Sequence, residues 1–431
     1  STITLSGTAS DNAGVSTVTW SNNKGGSGTA TGITSWSITN IALQSGENMI
    51  TVTAKDAANN TKTAILTVTR QITQSSNIHP FLIVTEDMYP AIRARASQAP
   101  WSTMKYDAIS TVNSTSYNTS GSIMTKAGQM DSIVSAGALA YILDSANKTA
   151  YKNKVRDTLY YWDDLYALRN TDWEFVVRAG IAFFNSVLAF DVIYNDLTAA
   201  EQSNIQSKLS SMGEWYLSTA LSWPENKYPC RGIWALWKNN RSQIDAAKLG
   251  YRSVFNEQIN PNGVFNEGCG YSGDLGSLTT GRYFMDILEH TGEDYSYYTD
   301  PEVIKFMEWY FGYSKGPVRQ NYSFGDTFLA QSVGNTSATT YRAYRFSDKA
   351  GKYAAWLAQG WGKPSGRLLN YILADSALSE PERAPSRIFT DGGAWFHENN
   401  QSTTSLSGAL WNIKDNTGNI DATWHRHKEN N

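Results

Sequence analysis

Two textures of hydrophobic spacing divide the chain. Up to about residue 70, apolar and polar residues alternate in short runs: Ile3-Thr4-Leu5, Val15 to Trp20, Trp36 to Ile41, Met49 to Ala54 and Thr63 to Thr69. A period of two turns one side of each run to a core and the other to water, which predicts β-strands. Asn, Gly, Ser and Asp turns separate them, and short strands at this spacing predict a β-sandwich over residues 1–70. Residues 71–78 are a mostly polar linker.

From His79 the period lengthens to that of helices. His79 to Val84 reads as extended, and Thr85-Glu86-Asp87 as a helix start, with a capping hydroxyl followed by acids. Helical patterns are predicted over about 126–145, 149–165, 172–195, 199–220, 231–238, 241–259, 275–291, 301–313 and 338–358. Thr198 and Glu201 stand at capping-box spacing where one helix ends and the next begins. Many antiparallel helices joined by short loops predict hairpins closed into an (α/α) toroid over 79–385. After Pro385 strands return at Ile388-Phe389, Gly393 to Phe396, Ser405 to Trp411 and Ala422 to His427. Residues 386–431 therefore read as the beginning of an antiparallel β-sheet domain that the sequence leaves truncated. The expected fold is multidomain: an all-β sandwich, an all-α toroid, then the start of a sheet.

Composition narrows the function. Charged residues make up 17% and aromatics 13%, with 15 Trp and 24 Tyr, a balance that suits a carbohydrate-facing, extracellular surface. A net charge of −3 offers no broad basic face for nucleic acid, whereas a cleft can still concentrate positive charge for a polyanion. No run of about 18 apolar residues is present to span a membrane. With that composition the expectation is a secreted, periplasmic or cell-surface bacterial protein; the sequence begins directly in strand-like residues, so any secretion signal is expected to have been removed or never included.

The densest candidate chemistry is Trp424-His425-Arg426-His427-Lys428-Glu429, which holds two of the five histidines. Imidazole titrates nearest neutrality, so such a cluster suits proton transfer or metal binding; a solvated charged terminus is the alternative. On a strand, His425 and His427 share one face. His427 with Glu429 could hold a structural divalent metal such as zinc or manganese, although two ligands do not make a site.

Several motifs together resemble the heparinase II/III and alginate lyase superfamily. They are His79-Pro80-Phe81-Leu82 with Arg93-Ala94-Arg95 and Pro100-Trp101, the junction Asp191 to Glu201, and Asn262-Gly263-Val264-Phe265-Asn266-Glu267-Gly268 followed by Gly270-Tyr271. Phe324-Gly325-Asp326 and His425-Arg426-His427 complete the set, in the same order along residues 79–431. The segments Gly7 to Val15 and Val52 to Asn60 likewise resemble bacterial immunoglobulin-like modules, which serve as spacers or weak binding units.

The resemblance implies a polysaccharide lyase cleaving a uronic-acid polymer, of alginate or glycosaminoglycan type, by β-elimination at O4. The C6 carboxylate must be neutralised, a base must take the C5 proton, and an acid must protonate the leaving oxygen. No cofactor is required for that chemistry. Tyr271, in the Gly-rich loop Gly268 to Gly273, is the candidate acid, since a phenol of pKa about 10 suits a departing alkoxide. His425 or His427 would be the base or polarise the carboxylate.

The resemblance also calls for a neutralising Asn on a loop that leads into a helix. Asn226 fits, with Pro229 in the first turn that follows; Asn240 with Arg241 is the second option, with Arg where related enzymes carry His. Arg282 and Arg345 are candidate carboxylate clamps, and Trp234 and Trp237 candidate stacking platforms, with ion pairing and core packing as their ordinary alternatives. Cys230 and Cys269, the two cysteines, lie close in sequence to Asn226 and Tyr271, and a disulfide between them would tie the two loops together; two buried thiols are the alternative. Two other readings stay open. An inverting hydrolase would need carboxyls about 6.5–9.5 Å apart, drawn from Glu267, Asp274 and Asp326. A non-catalytic carbohydrate-binding protein would need neither.

Overall fold

The computed structural model describes residues 2–23, 26–43, 46–70, 78–170, 174–218, 224–265, 280–293, 301, 305–306, 309, 313, 366–373, 386–389, 393–397 and 407–410. The chain folds as two compact units, Ser1–Ser75 with Ile287–Tyr295, and Ser76–Asp286 with Ser296–Asn431. The N-terminal region is strand-rich, and a helical region follows it.

Among the described residues of the N-terminal region are six strands: β1 (Thr2–Thr8), β2 (Val15–Asn22), β3 (Ser27–Thr29), β4 (Ser35–Ala42), β5 (Gly46–Asp56) and β6 (Thr61–Arg70). They make a four-stranded sheet, β3-β2-β5-β6, and a two-stranded sheet, β1-β4, both antiparallel. The alternation predicted from sequence is realised, with Val18, Ile38, Ile41, Ile50 and Val52 buried together. The short β3 was not anticipated; its Ser-Gly-Thr sequence carries no apolar alternation. Asp11 and Asp56, in the two immunoglobulin-like motifs, are turn residues. Asp11 Oδ1 accepts from Ala13 N at 2.7 Å, and Asp56 Oδ1 from Asn60 N at 2.9 Å.

The helical unit opens with α1 (Tyr89–Ala94) and α2 (Trp101–Ser114), followed by α3 (Ile123–Leu143), α4 (Lys148–Leu159), α5 (Trp162–Tyr166), α6 (Glu174–Ile193), α7 (Ala199–Ser218), α8 (Pro224–Trp237), α9 (Arg241–Gln258) and α10 (Thr280–His290). Among the described residues, a short helix, α11 (Leu368–Leu373), and an antiparallel sheet of β7 (Arg387–Phe389), β8 (Gly393–His397) and β9 (Ser407–Leu410) follow. The expected capping by Thr85 is absent. Glu86–Met88 is a single 3-10 turn, and the Thr85 side chain makes no cap hydrogen bond. The Thr198–Glu201 box forms as read: Glu201 Oε2 accepts from Thr198 N at 2.8 Å, and Thr198 Oγ1 accepts from Glu201 N at 3.3 Å.

Hydrophobic patterning sorts the helices into layers. In α3 nearly every residue from Met130 to Leu143 is buried, and α6 is buried almost throughout, so each is surrounded by protein. By contrast α7 buries a single stripe (Ile205, Leu209, Met212, Tyr216), as does α9 (Ile244, Ala247, Tyr251, Val254), leaving their other faces to solvent.

Direction follows from the contacts. Asp131 of α3 meets Asn185 of α6 midway, and Tyr141 near the end of α3 donates to Asp196 just beyond the end of α6. Gly180 near the start of α6 faces Cys230 in the first half of α8, while Phe190 near its end stacks on Trp237 at 5.2 Å. Hence α3, α6 and α8 run parallel. Each is paired with an antiparallel helix that follows it. Tyr151 of α4 donates to Asp144 at the end of α3, Tyr216 of α7 donates to the Val176 carbonyl at the start of α6, and Tyr228 of α8 fills the space over Gly250 of α9.

α11 touches both the first helices of the unit and α10. On one side Tyr371 OH donates to Ile92 O (2.9 Å) and its carbonyl accepts from Trp101 Nε1 (3.2 Å). On the other, Asn370 Oδ1 accepts from Tyr283 OH of α10 at 2.7 Å.

Candidate functional site

Because α3, α6 and α8 are parallel, their first turns lie at one end of the helical array. Helix starts carry unsatisfied N–H groups and positive partial charge, but the antiparallel α4, α7 and α9 end on the same side with unsatisfied carbonyls, so the dipoles largely offset and the charge of that end is set by its side chains. Asn226 and Lys227 stand in the first turn of α8. This corrects the expected loop position of Asn226: the helix begins at Pro224, whose ring suits a first turn, and runs on through Pro229. Asn226 is buried (1% exposed), with Gly180 of α6 leaving room beside it for its Cβ, Cys230 Sγ and Tyr216 OH.

Lys227 is half-buried, and among the described residues no carboxylate pairs with it. Burial, then the neighbouring Arg231, push its pKa down. Its Nζ lies 5.4 Å from the Tyr228 ring centroid. Arg231 is committed elsewhere: its guanidinium donates to the carbonyls of Tyr216 and Leu217 (2.8 Å), holding the end of α7 against α8. Cys230 is buried, its Sγ 3.3 Å from Gly180 O; the proposed partner Cys269 lies outside the described residues.

The other candidates on α8 and α9 lie at the opposite end. Trp237 is eleven residues beyond Asn226 (237 − 226), about 16 Å at the helical rise. Trp234 is fully buried, stacked on Trp237 at 5.3 Å and near Phe183, which makes it core rather than a platform for sugar. Asn239 takes φ 52°, ending α8 as Asn can in place of Gly. Asn240 then caps α9 by accepting from Gln243 N. Arg241 is exposed and pairs with Asp245 at 2.7 Å one turn on. The Asn239-Asn240-Arg241 motif is thus helix-turn chemistry. Of the two candidate neutralisers, only Asn226 stands at the end where the parallel helices start.

Two polar clusters escaped the sequence reading. In the first, buried Asp131 accepts from Asn185 Nδ2 at 2.7 Å and from the Arg367 guanidinium, whose side chain is 37% exposed. Asp131 is the main cause of a raised Arg367 pKa. Next to it Gly366 N donates to Asp107 at 2.7 Å, and Gly366 lies so close to α2 that a Cβ would meet Ala108 N at 2.2 Å. The second cluster lies where α3 starts. Buried Lys126 pairs with Asp164 at 2.8 Å, and the same carboxylate oxygen accepts from Tyr117 OH at 2.9 Å. Burial, then that bond, push the Tyr117 phenol pKa up. A charged residue inside an apolar run, as Asp131 is between Met130 and Ile133, was the available signal for the first; the second joins segments too distant in sequence to be paired by inspection.

Tyr271, Glu267, Asp274, Asp326, Arg345, His425, His427 and Glu429 lie outside the described residues, and of Arg282 only the backbone, in α10, is described. Among the described residues no group of three or more His, Cys, Asp or Glu side chains is placed to hold a metal ion. No described helix is long and apolar enough to cross a membrane. Compared with known proteins, the chain matches no family model and no curated sequence.

Proposed function

We propose that the chain is a secreted polysaccharide lyase that cleaves a uronic-acid polymer by β-elimination at the end of the helical array where α3, α6 and α8 begin. The observation that carries this reading is the first turn of α8. It holds Asn226 and, next in sequence, the ammonium of Lys227, with no paired carboxylate among the described residues, at the end where α3, α6 and α8 start. The Lys227 ammonium favours an acidic ligand there over a neutral or basic one. The parallel α3, α6 and α8, each backed by an antiparallel helix, and the contacts of α11 with both the first helices and α10 support an (α/α) toroid. The six described strands of the N-terminal region support an immunoglobulin-like module, and β7–β9 support the β-sheet domain of such lyases.

In this mechanism Asn226 and Lys227 neutralise the substrate C6 carboxylate, which acidifies the C5 proton. His425 or His427 takes that proton, the C4–C5 double bond forms, and the C4–O4 bond breaks. Tyr271 delivers a proton to the departing oxygen. The carboxylate must reach the buried Asn226 amide, so binding is expected to move the side chains that cover it. A panel of alginate, hyaluronan, chondroitin and heparan is the test. Elimination gives an unsaturated uronyl end that absorbs in the ultraviolet, and Asn226→Ala should abolish it. New reducing ends without absorbance would instead mean hydrolysis, and neither product would mean no cleavage at all.

A further inference from the structure

We propose that Tyr161 and Tyr117 form a second carbohydrate subsite, a stacking platform for a pyranose ring of the bound glycan, at the start of α3. The proposal rests on the functional reading above for the kind of polymer, but stands on its own geometry. The two rings are stacked, 4.7 Å between centroids and 15° apart, and Tyr161 is 42% exposed. Exposed aromatic pairs lose apolar surface to water unless something covers them, and a ring with an apolar face and a polar tip suits the C–H face of a sugar.

The platform is built rather than incidental. Tyr117 is fixed through its hydroxyl to Asp164, and Asp164 is fixed by the buried Lys126 on α3. The loop carrying Tyr117 is held by its own amides. Asn118 N donates to Gln129 Oε1 at 2.8 Å, Ser120 N donates to Asn118 Oδ1 at 3.0 Å, and Ser122 caps α3 through Thr125 N. Little order therefore remains to be imposed when a ligand arrives. Ser116, Asn118, Thr119 and Ser120 surround the ring in sequence with hydroxyls and amides able to bond sugar hydroxyls.

Position argues the same way. Because α4 runs antiparallel to α3, Tyr161 just past its end returns to the end where α3 starts, shared with Asn226. From α3 across α6 to α8 is two helix spacings, about 16–20 Å. That separation is several sugar residues, so the platform would hold a polymer at a distance from the reacting bond.

The experiment is affinity electrophoresis of the full chain through gels containing alginate, hyaluronan, chondroitin sulfate or a neutral β-glucan, with ultraviolet product formation measured in parallel. Tyr161→Ala should weaken retardation by about tenfold, while Tyr161→Phe, which keeps the ring, should retain it. Equal thermal melting of all three proteins shows that the fold survives. Unchanged retardation of Tyr161→Ala would overturn the subsite, as would absence of retardation of the wild type by every glycan. Retardation that depends on Tyr161 without any ultraviolet-absorbing product would uphold the subsite while refuting the lyase.

Discussion

Removing the Asp131 carboxylate is the most direct probe of what holds α11 in place. Asp131 is 6% exposed and accepts from both Asn185 and Arg367. Breaking a buried ion pair from one side costs about 3–5 kcal/mol, because the remaining charge is left without compensation. Here Arg367 keeps 37% of its side chain exposed, so water recovers part of that loss. Asn185 keeps a second acceptor, the Ile181 carbonyl at 3.3 Å, which limits its own penalty. The expected destabilisation for Asp131→Ala is therefore about 2–4 kcal/mol. Urea unfolding of Asp131→Ala, Arg367→Met and the double variant would measure it. The coupling between the two sites should be about 1–2 kcal/mol, and amides of 366–373 should exchange faster in each single variant. A loss below about 1 kcal/mol in Asp131→Ala, or no coupling, would refute the assignment of this pair as the anchor.

Other expectations follow from single contacts. A Cβ on Gly232 would lie 2.1 Å from Phe284 Cζ, so Gly232→Ala should lower stability by about 1–3 kcal/mol, and pairing it with Phe284→Leu should recover part of the loss in thermal melting. The Glu201 carboxyl is held down to about 2 from an ordinary 4.5, first by the Thr198 N–H and then by Arg156. The unfolded state thus takes up the proton first, so the advantage of wild type over Glu201→Gln should be full above about pH 4.5 and fade as pH falls toward 2. Lys227→Ala should raise KM for an acidic polymer about tenfold and flatten its salt dependence, leaving melting unchanged; an unaltered salt dependence would remove Lys227 from the site.

Much of the fold is legible along the chain because it rests on period and on local chemistry. The alternation in Met49 to Ala54 became β5, and the Thr198–Glu201 spacing became a real capping box. What failed depended on context. The prediction began the α8 helix at 231 because Pro229 reads as a helix start, yet Pro224 opens it and the helix tolerates the second proline within. That single shift moved Asn226 from a loop into a helical turn. Asn240-Arg241 looked like chemistry because Asn is common both in catalysis and in turns; only the left-handed Asn239 and the Gln243 cap separate the two. Trp234 and Trp237 carried the right residue type at a spacing shared by platforms and cores, and burial decided for the core in Trp234. The Asp131–Arg367 cluster left only the hint of a charge inside an apolar run, and the Lys126–Asp164–Tyr117 cluster left none, since the partners in both meet only through tertiary packing.

The bond from Trp101 Nε1 to Tyr371 O joins residues 270 apart. On a ribosome adding about 5–20 residues per second, the first of these emerges roughly 14–54 s before its partner exists. Throughout that interval Ile92, Arg95 and Trp101 lack the Tyr371 groups that later lie against them, and the nascent protein must remain collapsed yet unfinished. Recovery from denaturant is therefore expected to be paced by this long-range closure, as in a wall whose last stone rests on its first.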